Sequence, residues 1–448
     1  MVTQTVTEQG AYSAAFRKFQ EQAGTDASWL KRLRESAFDN FEQRGFPTTD
    51  EEEWKYTNLA PLVKAQFETM FERQAVQDVS AQARLEEFTY EESRRSQLVF
   101  VNGVYRAELS ALDALPEGFV VTDLAEALKN ERYSEVVREH LARSADYNSN
   151  GLVALNTAFL SSGAFVLVPQ GAQVETPVHL LFLSDSNAEQ AVTFPRVLVV
   201  GEPSSAATLI ESYASAADVA HWTNAVVEVV LGEGARLEHY KVQRESAQGY
   251  HIATTTAELG RNSVFETTTI TLGAQLSRHN IAVRLADEGA LCRVDGLYIV
   301  GAGQHTDTHS LIDHTQPHCT SRQLYKGILD GKSRAVFNGK VFVHEGAQGT
   351  DAQQTNRNLL LSKEARVDTK PQLEIFADDV KCAHGATVGQ LEEEELFYLI
   401  SRGLHRELAQ NLLTYGFAEE VIDKIKIESI KAQLDEAVLN RLHAKLEV

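Results

Sequence analysis

Residues 152 to about 390 form the part of the chain that most restricts its fold. Short runs rich in Val, Ile, Thr and Phe alternate there with turns, and no helical periodicity interrupts them. Three turns of Gly-Ala type, or a close variant, place Ala235, Ser263 and Ala290 at successive spacings of 28 and 27 residues. One coil of that length cannot bury its own inner face, so the spacing predicts a solenoid in which neighbouring coils stack.

The repeat is degenerate, and its regular spacing breaks between Ala290 and Gly346. A Greek-key barrel or a β-sandwich also consists of short strands joined by glycine-containing turns. Either fold therefore stays open as the second interpretation of residues 151–390, which we treat as the β core.

Residues 1–150 are predicted to form an N-terminal helical region with a small hairpin. Apolar side chains recur at steps of three and four over residues 29–41, which predicts a helix, and Gly45 follows as its end. Residues 98–106 are two apolar runs joined by Asn102-Gly103, a pair typical of tight hairpins.

Residues 391–448 are predicted to form a C-terminal helical domain. Four carboxylates at 392–395 suit a first helical turn, Gly403 ends this helix, and a second helix stops near Gly416. Apolar residues at steps of four over 422–446 predict a long last helix. The apolar faces of these helices must pack on the solenoid or on a partner.

The charge balance excludes some partners. The chain of 448 residues has 42 Lys and Arg against 63 Asp and Glu, a formal net charge of −21 at pH 7. Nucleic acids and anionic membranes bind basic surfaces, so neither is an expected partner. No segment approaches the roughly 20 apolar residues of a membrane span. Residues 1–16 lack the basic and apolar segments of a secretory signal, and we expect a cytoplasmic protein.

The chain has three cysteines, Cys292, Cys319 and Cys382. An odd number at wide spacing excludes a disulfide scaffold, and a four-cysteine zinc or iron–sulfur site would lack one ligand. Common catalytic signatures are also missing. Residues 327–333, for example, have three residues between their glycines where a nucleotide-binding loop needs four. These absences count against an enzyme but leave one open at this point.

The densest polar cluster lies between residues 305 and 318. On a strand, His305, Asp307 and His309 point to one face, and His314 and His318 follow. Histidine and aspartate bind borderline or hard metals, so these residues are candidate metal ligands. The alternative is a set of hydrogen-bonded ladders on stacked coils, because ligand types without an ordered spacing are a weak metal signal.

A second pair of candidate ligands lies near the end of the β core. Cys382 and His384 are two residues apart, so on an extended strand both side chains face the same side. A thiolate and an imidazole together suit zinc or iron, but they are only half of a coordination shell. Other ligands would have to come from another chain. The alternative is a buried thiol beside a structural histidine.

Several long segments around this pair resemble the SufB/SufD family of iron–sulfur cluster assembly proteins. The segments with the closest resemblance are Thr355–Ser362, Asp368–Ile375 and Ala377–Thr387. Further similar segments are 305–318, 323–327, 396–399 and 401–403. The resemblance extends from about residue 45 to about residue 417. Gly45–Pro47 and Glu53–Thr57, together with the small number of cysteines, resemble the SufD branch in particular.

The resemblance implies a fold and a set of partners. The family fold is an N-terminal helical region, a right-handed parallel β-helix and a C-terminal helical domain. A SufD-like chain pairs with SufB through the β-helix and binds the ATPase SufC through its C-terminal helices, so ATP hydrolysis belongs to SufC. The residues expected to contact SufC are Leu396, Tyr398, Leu399, Arg402, Leu404 and Leu408.

The resemblance also implies a shared site. In this family a transient iron–sulfur cluster is thought to form at the SufB–SufD interface, and the matching positions here are His384 and, as the weaker candidate, Cys382. SufB would supply further ligands. The family complex is associated with reduced flavin, but no flavin-binding motif is visible here. We expect flavin only at the level of the complex and no cofactor held tightly by the isolated chain.

Other functions stay open at this point. Within the family the alternative is a SufB-type scaffold, and homodimerisation of the isolated chain is a further alternative. From a different class, β-helix enzymes act on acidic polysaccharides, although the negative charge of this chain would repel such a polymer. A third alternative is a stand-alone homodimer that stores a metal at residues 305–318.

Overall fold

A computed structural model describes residues 2–22, 26–72 and 79–441 of the chain. Between Gly163 and Gly389 it contains a parallel β-solenoid, which confirms the solenoid prediction, and the barrel and sandwich alternatives are wrong. Over most of this length the strands alternate between two sheets. Each strand pairs in parallel with the strand one coil away.

The N-terminal region combines helices with short strands and continues through Ala158, past the boundary predicted at residue 150, because residues 151–158 form a helix and the first solenoid strand begins at Gly163. Its helices are α1 (Val2–Gln22), α2 (Ser28–Arg44), α3 (Ala60–Ala65), α4 (Val79–Phe88), α5 (Leu124–Lys129), α6 (Glu131–His140) and α7 (Gly151–Ala158). Its strands are β1 (Glu68–Thr69), β2 (Gln97–Val101), β3 (Val104–Tyr105) and β4 (Val120–Asp123). The predicted helix is α2, which ends at Gly45 with φ of 66°. The predicted hairpin is formed by β2 and β3, with Phe100 opposite Tyr105.

The solenoid consists of strands of up to eleven residues. They are β5 (Gly163–Val168), β6 (Val178–Ser184), β7 (Ala191–Thr193), β8 (Arg196–Gly201), β9 (Ala206–Ser215), β10 (Trp222–Leu231), β11 (Arg236–Arg244), β12 (Tyr250–Leu259), β13 (Val264–Thr271), β14 (Leu276–Leu285), β15 (Leu291–Val300), β16 (His305–His314), β17 (Thr320–Leu329), β18 (Arg334–Val343), β19 (Thr350–Leu360), β20 (Arg366–Ile375) and β21 (Val380–Gly389).

Two sheets form opposite walls of the solenoid. Sheet 1 has the strand order β4-β5-β8-β10-β12-β14-β16-β18-β20, with β7 beside β10 and β1 beside β7. Sheet 2 has the order β3-β2-β6-β9-β11-β13-β15-β17-β19-β21. Strands of the N-terminal region therefore extend both sheets at their first end, and β20 and β21 end them at the other.

One backbone turn recurs along the solenoid up to the coil before the last. Its central residue has positive φ, and the residues are Gly171, Ser204, Gly234, Asn262, Gly289, His318 and Gly349. The N–H of Gly289 donates to Pro317 O, and the N–H of His318 donates to Gln348 O, one coil further on. The repeat therefore does not break after Ala290. His318, with φ of 59°, occupies the position at which the sequence shows no glycine.

The lumen between the sheets is partly polar. Lys241 is buried there, with its Nζ 3.1 Å from Glu211 Oε1 and 3.9 Å from the centre of the Tyr213 ring. His239 Nε2 lies 3.2 Å from the other carboxylate oxygen. Burial opposes ionisation of Glu211, but the Lys241 charge holds the pKa of this carboxyl well below its usual value. The lumen thus contains a buried ion pair that an aromatic ring and an imidazole support.

The N-terminal region covers the outer face of sheet 1. Trp222 and Tyr250 of that face pack in one apolar cluster with Phe41 and other residues of the N-terminal helices. A second attachment is polar: the fully buried Glu228 accepts hydrogen bonds from the backbone N–H groups of residues 142–145 at 2.8 to 3.1 Å.

The C-terminal helices are α8 (Glu393–Ser401), α9 (Arg406–Ile422) and α10 (Glu428–Arg441). Helices α9 and α10 pack on the outer face of sheet 2, where Val421 and Ile430 share a cluster with Ile270 and Leu297. They dock on their own solenoid, which was one of the two outcomes expected from their apolar faces. Within the described residues, no helix is both long and apolar enough to cross a membrane.

Two predicted helix limits are wrong. Helix α9 continues through Gly416, and the last helix begins at Glu428 rather than at residue 422. A glycine costs a helix only about 1 kcal/mol, and burial of Ala418 and Val421 on the solenoid outweighs that cost. The end of the predicted last helix, residues 442–446, lies outside the described residues.

Candidate functional site

The last coil is the open end of the solenoid, which we define as β20, β21 and the segment 376–379 between them. Both strands are terminal in their sheets. Alternate side chains of β19 are buried, whereas most of β21 is exposed. A terminal strand offers backbone N–H and C=O groups for pairing with another strand. The open end is therefore a surface on which a further coil can be added.

Cys382 and His384 lie together on β21. Their register partners on β19 are Ala352 and Gln354, which are both buried in the lumen. The two candidate ligands therefore continue lumen-facing columns onto the last coil, where the His384 side chain is exposed and Cys382 is half-buried. Burial raises the pKa of the Cys382 thiol. The exposed imidazole of His384 is the more available ligand, because the half-buried thiol of Cys382 must lose its proton before it can bind a metal.

Exposed apolar side chains accompany this pair at the open end. Ile375, Phe376 and Val388 expose 37 %, 61 % and 48 % of their surfaces. Adjacent exposed apolar residues are typical of protein–protein contact sites. The open end thus combines free strand edges, apolar side chains and an exposed imidazole.

His305, Asp307 and His309 share the outer face of β16. That face contacts the segment 53–57 of the N-terminal region. Thr57 Oγ1 lies 2.8 Å from His305 Nε2 and donates a hydrogen bond of 2.5 Å to Asp307 Oδ2. The polar atoms of this group are thus engaged by a segment about 250 residues away in the chain.

Asp307 is the centre of this contact. Arg278 Nη1 donates to Asp307 Oδ2 at 2.7 Å, and its guanidinium stacks 3.7 Å from the Trp54 ring centre. Burial opposes ionisation, but the Arg278 charge holds the pKa of Asp307 well below its usual value. His309 lies 3.1 Å from Asp307 and 3.0 Å from Glu53; although burial opposes it, these carboxylates raise the pKa of His309. A raised pKa favours the protonated form of the imidazole, which has no lone pair for a metal.

The other two candidate ligands of this cluster lie elsewhere. His314 faces the lumen, where its Nε2 is 2.9 Å from Ser321 Oγ and burial lowers its pKa to about 4. His318 is exposed at the solenoid turn. The five candidates therefore have three separate surroundings. Over the described ranges, no group of three or more His, Cys, Asp or Glu residues is arranged to hold a metal ion.

The residues predicted to bind a partner at the C terminus differ in accessibility. Tyr398 and Arg402 are exposed, whereas Leu396 is only 2 % exposed and supports helix α8 from inside. The half-buried members of the set are Leu399, Leu404 and Leu408.

Phe397 was not among the residues predicted to contact a partner, although its side chain is 73 % exposed. Phe397 directly follows the buried Leu396 of α8 and lies next to Tyr398. Two adjacent aromatic residues on the polar side of an amphipathic helix were the available signal.

The fold and the open end define a class, a β-solenoid protein with helical regions at both ends. Comparison with known protein families narrows this class to one family. Residues 182–417 match the SufBD core domain of SUF system FeS cluster assembly, and residues 7–180 match the SufBD protein N-terminal region. The chain belongs to the SufBD family of the SUF system, which assembles iron–sulfur clusters.

Individual relatives cover most of the chain. An iron–sulfur cluster assembly SufBD family protein of Synechocystis is 38 % identical, over 93 % of this chain and 92 % of its own length. SufD of Escherichia coli is 33 % identical, over 89 % and 90 %. SufB of Bacillus subtilis is 28 % identical, over 75 % and 73 %. This family argues against the polysaccharide-acting enzyme considered from the sequence.

Proposed function

We propose that this chain is the SufD-type subunit of a SufB–SufC–SufD complex, a non-catalytic scaffold on which iron–sulfur clusters are assembled and handed on. The observation that carries the proposal is the open end, where an exposed His384 lies on a terminal strand among exposed apolar residues. The longer coverage of the SufD relative than of the SufB relative supports the SufD type.

The open end explains why a partner is needed for the chemistry. The cluster is the cargo of the complex, and iron–sulfur clusters are usually held by four ligands. This chain offers His384, with Cys382 as a weaker second ligand. A SufB-type coil that pairs with β20 or β21 would bring further ligands to the same interface and cover the apolar residues there.

A second contact of the proposed complex is helix α8. Phe397 and Tyr398 expose 73 % and 57 % of their surfaces, and aromatic residues of this kind are enriched in interface hot spots. We assign them to the contact with SufC, together with Arg402. The ATPase would then attach beside the helices that pack on sheet 2.

The proposal includes a cytoplasmic location. The cysteines Cys292, Cys319 and Cys382 are all free in the structure. Reduced thiols are typical of cytosolic proteins, and a cluster-assembly ligand such as Cys382 has to stay reduced.

Co-expression with the SufB-type and SufC-type proteins of the same organism tests the assignment. We expect both to co-purify with the wild-type chain. Val388→Glu places a charge on the open end and should release the SufB-type protein while retaining SufC. Leu311→Glu is the matched control, because Leu311 is 38 % exposed on β16, two strands away from the terminal strand of sheet 1, and should not affect either partner.

Two results would contradict the proposal. Retention of the SufB-type protein by Val388→Glu would place the interface elsewhere. Co-purification of a second SufD-type protein instead of a cysteine-richer paralogue would favour the SufB type. If the isolated chain forms a homodimer, Val388→Glu should also convert it to a monomer, because a second copy is the alternative cover for the open end.

A further inference from the structure

Gln354 is the buried neighbour of His384. The two residues are register partners on β19 and β21, and they face the lumen side of adjacent strands. Neighbouring strands are about 4.8 Å apart, so side chains at paired positions on one face are in contact range. Gln354 is 1 % exposed, and its Oε1 is a buried acceptor without a hydrogen-bond partner among the described residues.

The amide of Gln354 is oriented from the other side. Its Nε2 donates to Gln323 Oε1 at 2.7 Å, and Gln323 Nε2 donates to Ser310 Oγ at 2.8 Å. Gly339 makes room for it, since a Cβ at that position would lie 2.4 Å from Gln354 Nε2. The Nε2 donor of Gln354 is thus engaged within the lumen, whereas its Oε1 acceptor has no partner there.

We propose that Gln354 is the positioning residue of His384: once the exposed imidazole turns toward the lumen, its N–H donates a hydrogen bond to Gln354 Oε1. An unpaired buried acceptor is unfavourable, and the imidazole on the next strand is the donor that the register brings beside it. The proposal rests on the proposed function for the role of His384 as a ligand, but the hydrogen bond itself does not depend on that role.

The consequence concerns the tautomer of His384. A neutral imidazole carries its proton on one ring nitrogen and a lone pair on the other. The amide oxygen accepts a hydrogen bond and cannot donate one, so it selects the tautomer whose N–H points to Gln354. The second ring nitrogen of His384 then keeps its lone pair available for the iron–sulfur cluster. Ligating histidines in metal sites are commonly oriented in this way by a carbonyl or carboxylate oxygen.

The test is nitrogen NMR of the full chain labelled with ¹⁵N-histidine, at a pH at which free imidazole is neutral. The chain has 14 histidines, and loss of one signal in His384→Ala assigns the relevant one. Gln354→Met removes the acceptor at similar volume and should change the tautomer ratio of His384 about two- to tenfold, the effect of one net hydrogen bond on an equilibrium.

Two further variants separate positioning from packing. Gln354→Glu retains an acceptor oxygen and should keep the wild-type tautomer preference. Gln353→Met is the matched control, because Gln353 is exposed on the opposite face of β19 and should leave the ratio unchanged. An identical ratio in the wild type, Gln354→Met and Gln354→Glu would overturn the positioning role.

Cluster assembly in the complex distinguishes this inference from the proposed function. If the tautomer ratio changes in Gln354→Met but His384→Ala assembles clusters normally, the positioning role stands and the proposed function fails. If His384→Ala loses assembly while Gln354→Met keeps the wild-type ratio, the proposed function stands and the positioning role is wrong.

Discussion

Replacing Glu228 by Gln perturbs the attachment of the N-terminal region to the solenoid. The Glu228 carboxylate accepts hydrogen bonds from the four backbone N–H groups of residues 142–145, and its Oε2 lies 2.5 Å from Arg196 Nη2. Both charged side chains are fully buried. In Glu228→Gln the amide retains one acceptor oxygen, but its NH₂ group faces donors, and Arg196 loses its counter-charge.

The expected loss of stability in Glu228→Gln follows from removing one partner of a buried ion pair. Such a loss typically costs about 3–5 kcal/mol, because the remaining charge stays buried without compensation. That is a large share of the 5–15 kcal/mol by which folded domains are usually stable. We therefore expect the free energy of unfolding of Glu228→Gln to fall by about 3–5 kcal/mol at pH 7.

The effect has a defined pH dependence. Burial opposes ionisation, but Arg196 and the backbone N–H groups hold the pKa of Glu228 below its usual value. A carboxyl with a lowered pKa in the folded state stabilises the fold above its unfolded pKa, and this contribution is lost as the pH falls through the folded pKa. The difference between the wild type and Glu228→Gln should therefore be largest at neutral pH and shrink in acid.

Urea unfolding of the full chain, followed by circular dichroism at pH 7 and pH 4, measures both the loss of unfolding free energy and its dependence on pH. Arg196→Met/Glu228→Gln is the control, since removal of both charges should recover at least about 1 kcal/mol relative to Glu228→Gln. A Glu228→Gln variant within about 1 kcal/mol of the wild type at pH 7 would refute the reasoning.

Two further predictions concern the lumen and helix α8. Lys241→Met leaves Glu211 buried without its ammonium partner, so urea unfolding should show a loss of about 3–5 kcal/mol, partly recovered in Glu211→Gln/Lys241→Met; equal losses in both would contradict this. Phe397→Ala removes an exposed aromatic side chain, so calorimetry should show SufC binding at least about tenfold weaker, the effect of 1.4 kcal/mol. Val104→Ala, 50 % exposed on the N-terminal hairpin, should bind normally.

The solenoid was predictable because its repeat is local. Gly234, Asn262 and Gly289 carry the left-handed turn in residues that tolerate positive φ, so their spacing is visible in the sequence. His318 was not recognisable as the next turn, because positive φ is uncommon for residues other than glycine and a histidine in the sequence gives no local turn signal. Tertiary packing likewise carries α9 through Gly416, which the helix propensity alone did not predict.

The candidate site was predictable only in part. The two-residue period of a strand places Cys382 and His384 on one side without further information. That their strand is the terminal one depends on the number of coils and on where the chain leaves the sheet. The pairing of Asp307 with Thr57 joins segments 250 residues apart, and neither segment contains a local signal for the other.

Anaerobic cluster reconstitution tests the central claim most directly. Complexes of the SufB-type and SufC-type partners with wild-type chain, His384→Ala and His344→Ala are compared by visible spectroscopy and iron content. His344→Ala is the matched control, because His344 is 47 % exposed and paired with Asp313 directly after β18 of sheet 1, whereas His384 lies on β21 of sheet 2. We predict that all three complexes form and that cluster yield falls only with His384→Ala. A normal cluster yield from an intact His384→Ala complex would contradict the assignment of the open end as a cluster-assembly site.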